Sequence, residues 1–179
     1  INFKEKAMTT TIEYALMAGH AYRTTRDEIN WFPTPGGWAP FFPVPDPTTA
    51  AVFQATAGFE AVSFINGTEI VISYAGTGSS IDFLADIELV TGIFSTQLVQ
   101  AAEYYLQVKA ANPGATITLT GHSLGGGLAA LVGVFFGVEA HSFDQAPFAN
   151  SAEGSSTPLT PSGGQILKNA LLGKGYSEP

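Results

Sequence analysis

From residue 94 onward the apolar pattern of the chain reads helix, strand, helix, strand, helix, and this alternation constrains the fold more than any other feature. Strands separated by helices are joined by crossovers, and crossover-linked strands pair in parallel with helices on the sheet faces. The first helix is expected over 94–111. Ser95 would cap it, Leu98, Ala101, Ala102, Tyr105 and Val108 mark one face, and Asn112-Pro113-Gly114 stops it. Thr116–Thr120 is a short β-branched strand, Leu124–Phe136 a helix rich in small residues, Val138–Phe143 a second strand, and 163–172 a last helix opened near Ser162.

The segment before residue 94 is read from different signals. Thr10-x-x-Glu13 has the form of a capping box and opens a helix near 10–22, with Ile12, Ala15, Leu16, Ala18 and Tyr22 at helical spacing. His20 falls on that helix, as a packed or surface residue. Residues 30–47 carry so many prolines that neither a helix nor a central strand fits there; both tryptophans and three phenylalanines crowd into this loop. Its aromatics either pin the loop to the core or wall a substrate cleft. Phe59–Ile65 and Glu69–Tyr74 are strands joined at Asn66-Gly67, which is read as hairpin chemistry rather than as a glycosylation sequon. Ile70, Ile72 and Tyr74 lie on one face of the second strand, and Val71, Ser73 and Ala75 on the other.

Bulk properties exclude several function classes. A net charge of −8, with only seven Lys and Arg, argues against a nucleic-acid partner and against anionic membrane surfaces. No apolar run reaches the roughly 18 residues of a membrane span, so no transmembrane segment is expected. With no Cys, disulfides and thiolate metal sites are ruled out, while the compartment stays open and an extracellular one is favoured. His20, His122 and His141 lie far apart in sequence and show no metal-ligand spacing; neither a metal nor a cofactor is expected.

The chemistry is carried by Gly121-His122-Ser123-Leu124-Gly125, a G-x-S-x-G sequence. Alone this motif is weak; its place between the 116–120 strand and the 124–136 helix gives it meaning, because a nucleophile elbow is a strand-to-helix turn. Glycines two residues either side of the serine remove Cβ atoms that would clash in so tight a turn. The serine hydroxyl then stands above the carboxyl edge of the sheet. The Leu124 N–H, at a helix N-terminus, can hold negative charge as half of an oxyanion hole. The other half is expected in Tyr74-Ala75-Gly76-Thr77-Gly78-Ser79-Ser80, where Thr77 can offer its N–H at the end of the preceding strand. A phosphate-binding loop is the competing reading there, but no Gly-Lys-Ser/Thr follows.

Four segments carry a family likeness. Ile72-Ser73-Tyr74-Ala75-Gly76-Thr77, Ser80-Ile81-Asp82-Phe83-Leu84-Ala85-Asp86-Ile87, Thr118–Gly126 and Ser142-Phe143-Asp144-Gln145-Ala146-Pro147 together resemble the class 3 lipases. That family of α/β-hydrolases includes feruloyl esterases and related bacterial hydrolases. The likeness spans roughly residues 8–150. It implies an α/β-hydrolase-type, mostly parallel sheet with flanking helices and an N-terminal antiparallel hairpin. It implies an ester hydrolase acting on a small-molecule ester or lipid, with Ser123 as nucleophile and the Thr77 and Leu124 amides as oxyanion donors. A lid would lie in 79–93, and the His122 side chain would not face the nucleophile. Two departures stand out: Ala75 occupies the place of a common Arg, and Asp144 that of a Gly.

A serine nucleophile needs a base, normally a His oriented by an acid, in the chain order Ser, Asp/Glu, His. Beyond Ser123 the chain holds one Asp, Asp144, and one His, His141, in the reverse order. His141 falls inside a strand and reads as packed; Asp144 is a candidate acid. The 179 residues are therefore expected to form a single domain, incomplete at its C-terminus, whose base and remaining partner segment lie in the rest of a longer parent chain. The alternative is a non-catalytic hydrolase-like binding module or inactive fragment. Acyl transfer to an acceptor other than water is a third possibility.

Overall fold

The computed structural model describes residues 8–22, 32–41, 53–54, 59–76, 87–145 and 163–176. The elements in chain order are helix α1 (Thr11–His20), strands β1 (Ala39–Phe41), β2 (Phe53–Gln54), β3 (Glu60–Asn66) and β4 (Glu69–Tyr74), helix α2 (Ile87–Ala111), strand β5 (Thr116–His122), helix α3 (Leu124–Phe136), strand β6 (Ala140–Phe143) and helix α4 (Gly163–Gly173). They form one mixed sheet in the order β1-β3-β4-β5-β6, with β2 also on β3. The N-terminal strands are antiparallel, and β4, β5 and β6 run parallel. The alternation from residue 94 thus produces the parallel pairing expected of it.

The central strands β3, β4 and β5 are buried on both sides because both faces are covered, and the hydroxyls of Ser63, Ser73, Thr118 and Thr120 are buried with them. Ile70, Ile72 and Tyr74 face a core with Leu98, Ala101, Tyr105, Leu128 and Val132 of α2 and α3, and with Leu167 and Leu171 of α4. Val71 and the β3 residues Val62 and Phe64 face a second core with Tyr14 and Met17 of α1 and with Trp38. The division of β4 into two faces is the one the sequence predicts. Trp38 also donates through Nε1 to Glu13 Oε1 at 3.2 Å, so at this point the aromatic loop is pinned to the core.

Helix α3 has the predicted bounds, because a strained entry at Ser123 and a left-handed Gly137 (φ 66) close it at both ends. Helix α1 begins with the predicted box: Thr10 accepts from the Glu13 N–H and Glu13 accepts from the Thr10 N–H. Its buried face differs from the expected one. Ala18 and Tyr22 are buried as expected, but Ile12 is 73% exposed, and Tyr14, Met17 and Ala21 are buried in its place. The sheet sets this phase: Tyr14 and Met17 pack on Val62, Phe64 and Val71, and Ser73 Oγ donates to Met17 O at 3.0 Å.

Other boundaries move: β5 runs on to His122 and β6 begins at Ala140 rather than Val138. Helix α2 starts at Ile87, so Ser95 lies within it rather than capping it, and residues 87–93 of the expected lid are helical; 79–86 lie outside the described residues, as does Ser162. The β3–β4 loop is Gly67-Thr68, one residue later than expected, since Asn66 still pairs with Glu69. Positive φ falls on Gly67 alone (φ 61), the pattern of a type II′ rather than a type I′ turn. Within the proline-rich segment, Ala39–Phe41 forms a short strand on the flank of β3 opposite β4, where Pro40 is tolerated away from the sheet centre.

Candidate active site

The parallel strands end together. Register pairs Tyr74 with Gly121, Gly121 with Ser142, and His122 with Phe143, so the carboxyl ends of β4, β5 and β6 form one edge. Open α/β sheets bind ligands at such an edge. Ser123 is the single residue between β5 and α3, with φ 54 and ψ −125. That is a sparsely populated conformation for a residue with a Cβ, and it persists only where the surroundings over-determine it.

Those surroundings are crowded backbone. A Cβ at Gly121 would collide with the Gly125 carbonyl, and a Cβ at Gly125 with the Tyr74 carbonyl. The first turn of α3 therefore lies directly across the ends of β4 and β5, at a separation only glycine permits. Gly126 sits over β6, where its carbonyl accepts from Ser142 Oγ at 2.7 Å. The strain at Ser123 and the glycines around it are one structural fact.

Ser123 is partly accessible, and Leu124 is buried at the first position of the helix, where an N–H has no intrahelical acceptor. The chain leaving β4 runs alongside: a Cβ at Gly76 would stand 3.4 Å from Leu124 N. Thr77, the expected second oxyanion donor, lies outside the described residues, but the backbone leading to it borders the Leu124 amide.

Asp144 follows β6. Its side chain is 96% exposed, its φ is 42, and its Oδ2 lies 4.0 Å from His122 Nε2. A left-handed backbone is natural for the glycine that class 3 lipases carry at this place, and Asp is among the side chains that tolerate it best.

The three histidines are engaged elsewhere. His20 is buried on α1 with Nδ1 2.8 Å from Phe32 O. His141 stacks on Tyr14 with centroids 3.9 Å apart and holds Glu139 Oε1 at 3.0 Å, so it packs in its strand as the sequence predicts. The His122 ring points to Tyr22, with Nδ1 3.1 Å from the hydroxyl. Among the described residues no imidazole nitrogen hydrogen-bonds to Ser123. The sequence pattern puts Tyr22 on a helix with no part in the site; its partner is 100 positions away, and no local signal marks such a contact.

A strained serine between a parallel strand and a glycine-rich helix, at the carboxyl edge of a mixed sheet, defines the α/β-hydrolase class of fold. Comparison with known proteins gives the family. Residues 13–154 match the Tle-like phospholipase domain, and the chain belongs to that class 3 lipase-like family. It is 36% identical over 97 residues to an extracellular phospholipase A1 of Serratia liquefaciens, a match covering 54% of this chain and 30% of that one. Its fold is similar to that of a lipase from Rhizopus microsporus var. chinensis (TM-score 0.50, 19% identity, 74% of this chain and 54% of the lipase). It is equally similar to Rhizomucor miehei lipase in its propeptide complex (TM-score 0.50, 13% identity, 75% and 51%). The chain thus spans less than a third of the curated relative and about half of each solved lipase.

Proposed function

We propose that this chain carries the nucleophile of a serine ester hydrolase of the lipase and phospholipase type, working through an acyl-enzyme at Ser123. The observation that carries the reading is the Ser123 backbone, φ 54 and ψ −125, between β5 and α3. A residue is held in such a conformation at some cost, and here the conformation presents a hydroxyl beside a helix N-terminus.

In this reading Ser123 Oγ attacks the ester carbonyl carbon and gives its proton to a general base. The developing oxyanion takes hydrogen bonds from the Leu124 and Thr77 amides, backbone donors of the kind that stabilise a tetrahedral intermediate. The alcohol leaves with the proton, and water then releases the acid from the serine. The described histidines face other partners, so the base is assigned to a His outside these 179 residues. Asp144, exposed and turned toward His122, is assigned the turn after β6 rather than the acid. The substrate class proposed is a phospholipid or other carboxylic ester with an apolar acyl chain, on the strength of the family and of the relative named a phospholipase A1.

The test is fluorophosphonate labelling of the full-length protein followed by peptide mapping, alongside release of fatty acid from phosphatidylcholine micelles. Label on the 121–125 peptide, lost in Ser123→Ala together with hydrolysis, is the expected result. Full-length protein that neither labels nor hydrolyses would instead fit the hydrolase-like binding module.

A further inference from the structure

We infer that Tyr22 is a positioning residue that fixes the elbow and holds it in register with the chain leaving β4. The proposal rests on the hydrolase reading for its catalytic consequence, though not for its geometry.

Tyr22 is buried, two residues beyond the end of α1, and packs with Ala21 and Ala75. Its hydroxyl donates to the His122 carbonyl at 2.9 Å. That carbonyl belongs to the peptide unit whose nitrogen is Ser123 N, and this N–H donates to Phe143 O at 3.1 Å. Both polar ends of the 122–123 peptide are therefore held, one by Tyr22 just beyond α1 and one by Phe143 at the end of β6. The plane of that peptide sets φ of Ser123. These two hydrogen bonds act together with the close glycine packing to maintain a φ of 54 at Ser123.

The same hydroxyl meets the other side of the site. A Cβ at Gly76 would come within 2.6 Å of Tyr22 Oη, so the β4 exit passes against it. One oxygen touches the elbow peptide and the backbone that leads to Thr77. The hydroxyl proton is committed to the His122 carbonyl, so the 3.1 Å contact with His122 Nδ1 is made by an Nδ1–H donating to Oη. The imidazole of the same residue thereby gives the phenol a second contact, with the ring planes 70° apart. An oxyanion hole works only when both amides are aimed at one point, and misplacement by about 1 Å costs on the order of a hundredfold in rate. Loss of one neutral hydrogen bond should shift the amides by less than that.

The experiment is steady-state hydrolysis of a soluble p-nitrophenyl ester by the full-length enzyme as wild type, Tyr22→Phe, Gly76→Ala and the double variant. Tyr22→Phe should lower kcat about tenfold and leave KM within about twofold, since the defect lies in transition-state stabilisation. Gly76→Ala displaces the hydroxyl while keeping the ring, and should mimic it. Because both remove one contact, the double variant should be no slower than the worse single, rather than about a hundredfold down. Wild-type kcat in Tyr22→Phe, or multiplicative losses in the double, overturns the proposal. Should the wild type hydrolyse no ester at all, the hydrolase reading falls while the clamp is still decided by amide exchange at Ser123. Exchange there should quicken about tenfold in either single variant; exchange at the wild-type rate overturns the clamp.

Discussion

Ser123 and Asp144 leave the sheet side by side. Each follows one member of the His122–Phe143 pair that ends the β5–β6 ladder, and they are the two non-glycine residues with positive φ among those described. The elbow serine and the aspartate are thus neighbours in backbone geometry, at an edge where both strands must turn sharply.

For Asp144 this geometry predicts a backbone role. Asp144→Gly should leave stability unchanged or raise it by up to about 1 kcal/mol, because relief of the left-handed strain is offset by the entropy glycine loses on folding. Asp144→Val should destabilise by about 1–2 kcal/mol, since a β-branched side chain fits that conformation worst. Urea unfolding measures both. Asp144→Asn should change kcat by less than about fivefold; a loss near ten-thousandfold would restore Asp144 as the triad acid.

The elbow glycines predict a contrast within one residue type. A Cβ at Gly125 meets the Tyr74 carbonyl, which is backbone and cannot rotate away, so Gly125→Ala should destabilise by about 3 kcal/mol or more despite a better helix propensity. At Gly173 a Cβ meets nothing within 4 Å, and Gly173→Ala should be neutral or stabilising by up to about 1 kcal/mol. Chemical denaturation of the two variants in parallel checks this.

The capping box of α1 should make stability fall in acid. The Glu13 carboxylate accepts from the Thr10 N–H at 2.7 Å, and this bond above all holds its pKa below the ordinary value of 4.5, with Trp38 Nε1 assisting. A carboxylate whose folded pKa is depressed contributes stability that is present above its unfolded pKa and is lost as pH falls through the folded one. Thr10→Ala should cost about 1 kcal/mol near neutral pH. Glu13→Gln should be destabilising at pH 7 and close to wild type well below pH 4, followed by tryptophan fluorescence.

At alkaline pH the buried tyrosines predict the opposite limb. Burial pushes the Tyr104 phenol up to about 12, and Tyr74 well above its ordinary value. Folding therefore gains stability that is complete below about pH 10 and is lost as pH rises through the folded values. Absorbance at 295 nm should show some tyrosines ionising only together with unfolding. Tyr104→Phe should cost about 1–3 kcal/mol by leaving Ser63 Oγ without its 2.9 Å partner, and adding Ser63→Ala should recover part of that loss.

Local chemistry made much of this protein legible in advance. Helix α3, the hairpin, the two faces of β4, the capping box and the glycine-flanked Ser123 all depend on residues a few positions apart, where periodicity, cap chemistry and turn conformation act directly. Tertiary structure decided what depends on phase and distance. The apolar period of α1 was readable, but burial of Tyr14 and Met17 with Ile12 left in solvent came from packing on Val62, Phe64 and Val71 of the sheet, where Ser73 Oγ meets the Met17 carbonyl. Helix α2 begins at Ile87 although Ser95 offers a good cap, because a helix continues through a potential cap when its backbone groups already have partners. The grip of Tyr22 on the elbow joins residues 100 positions apart, and such a contact exists only once the strands have ordered the chain in space.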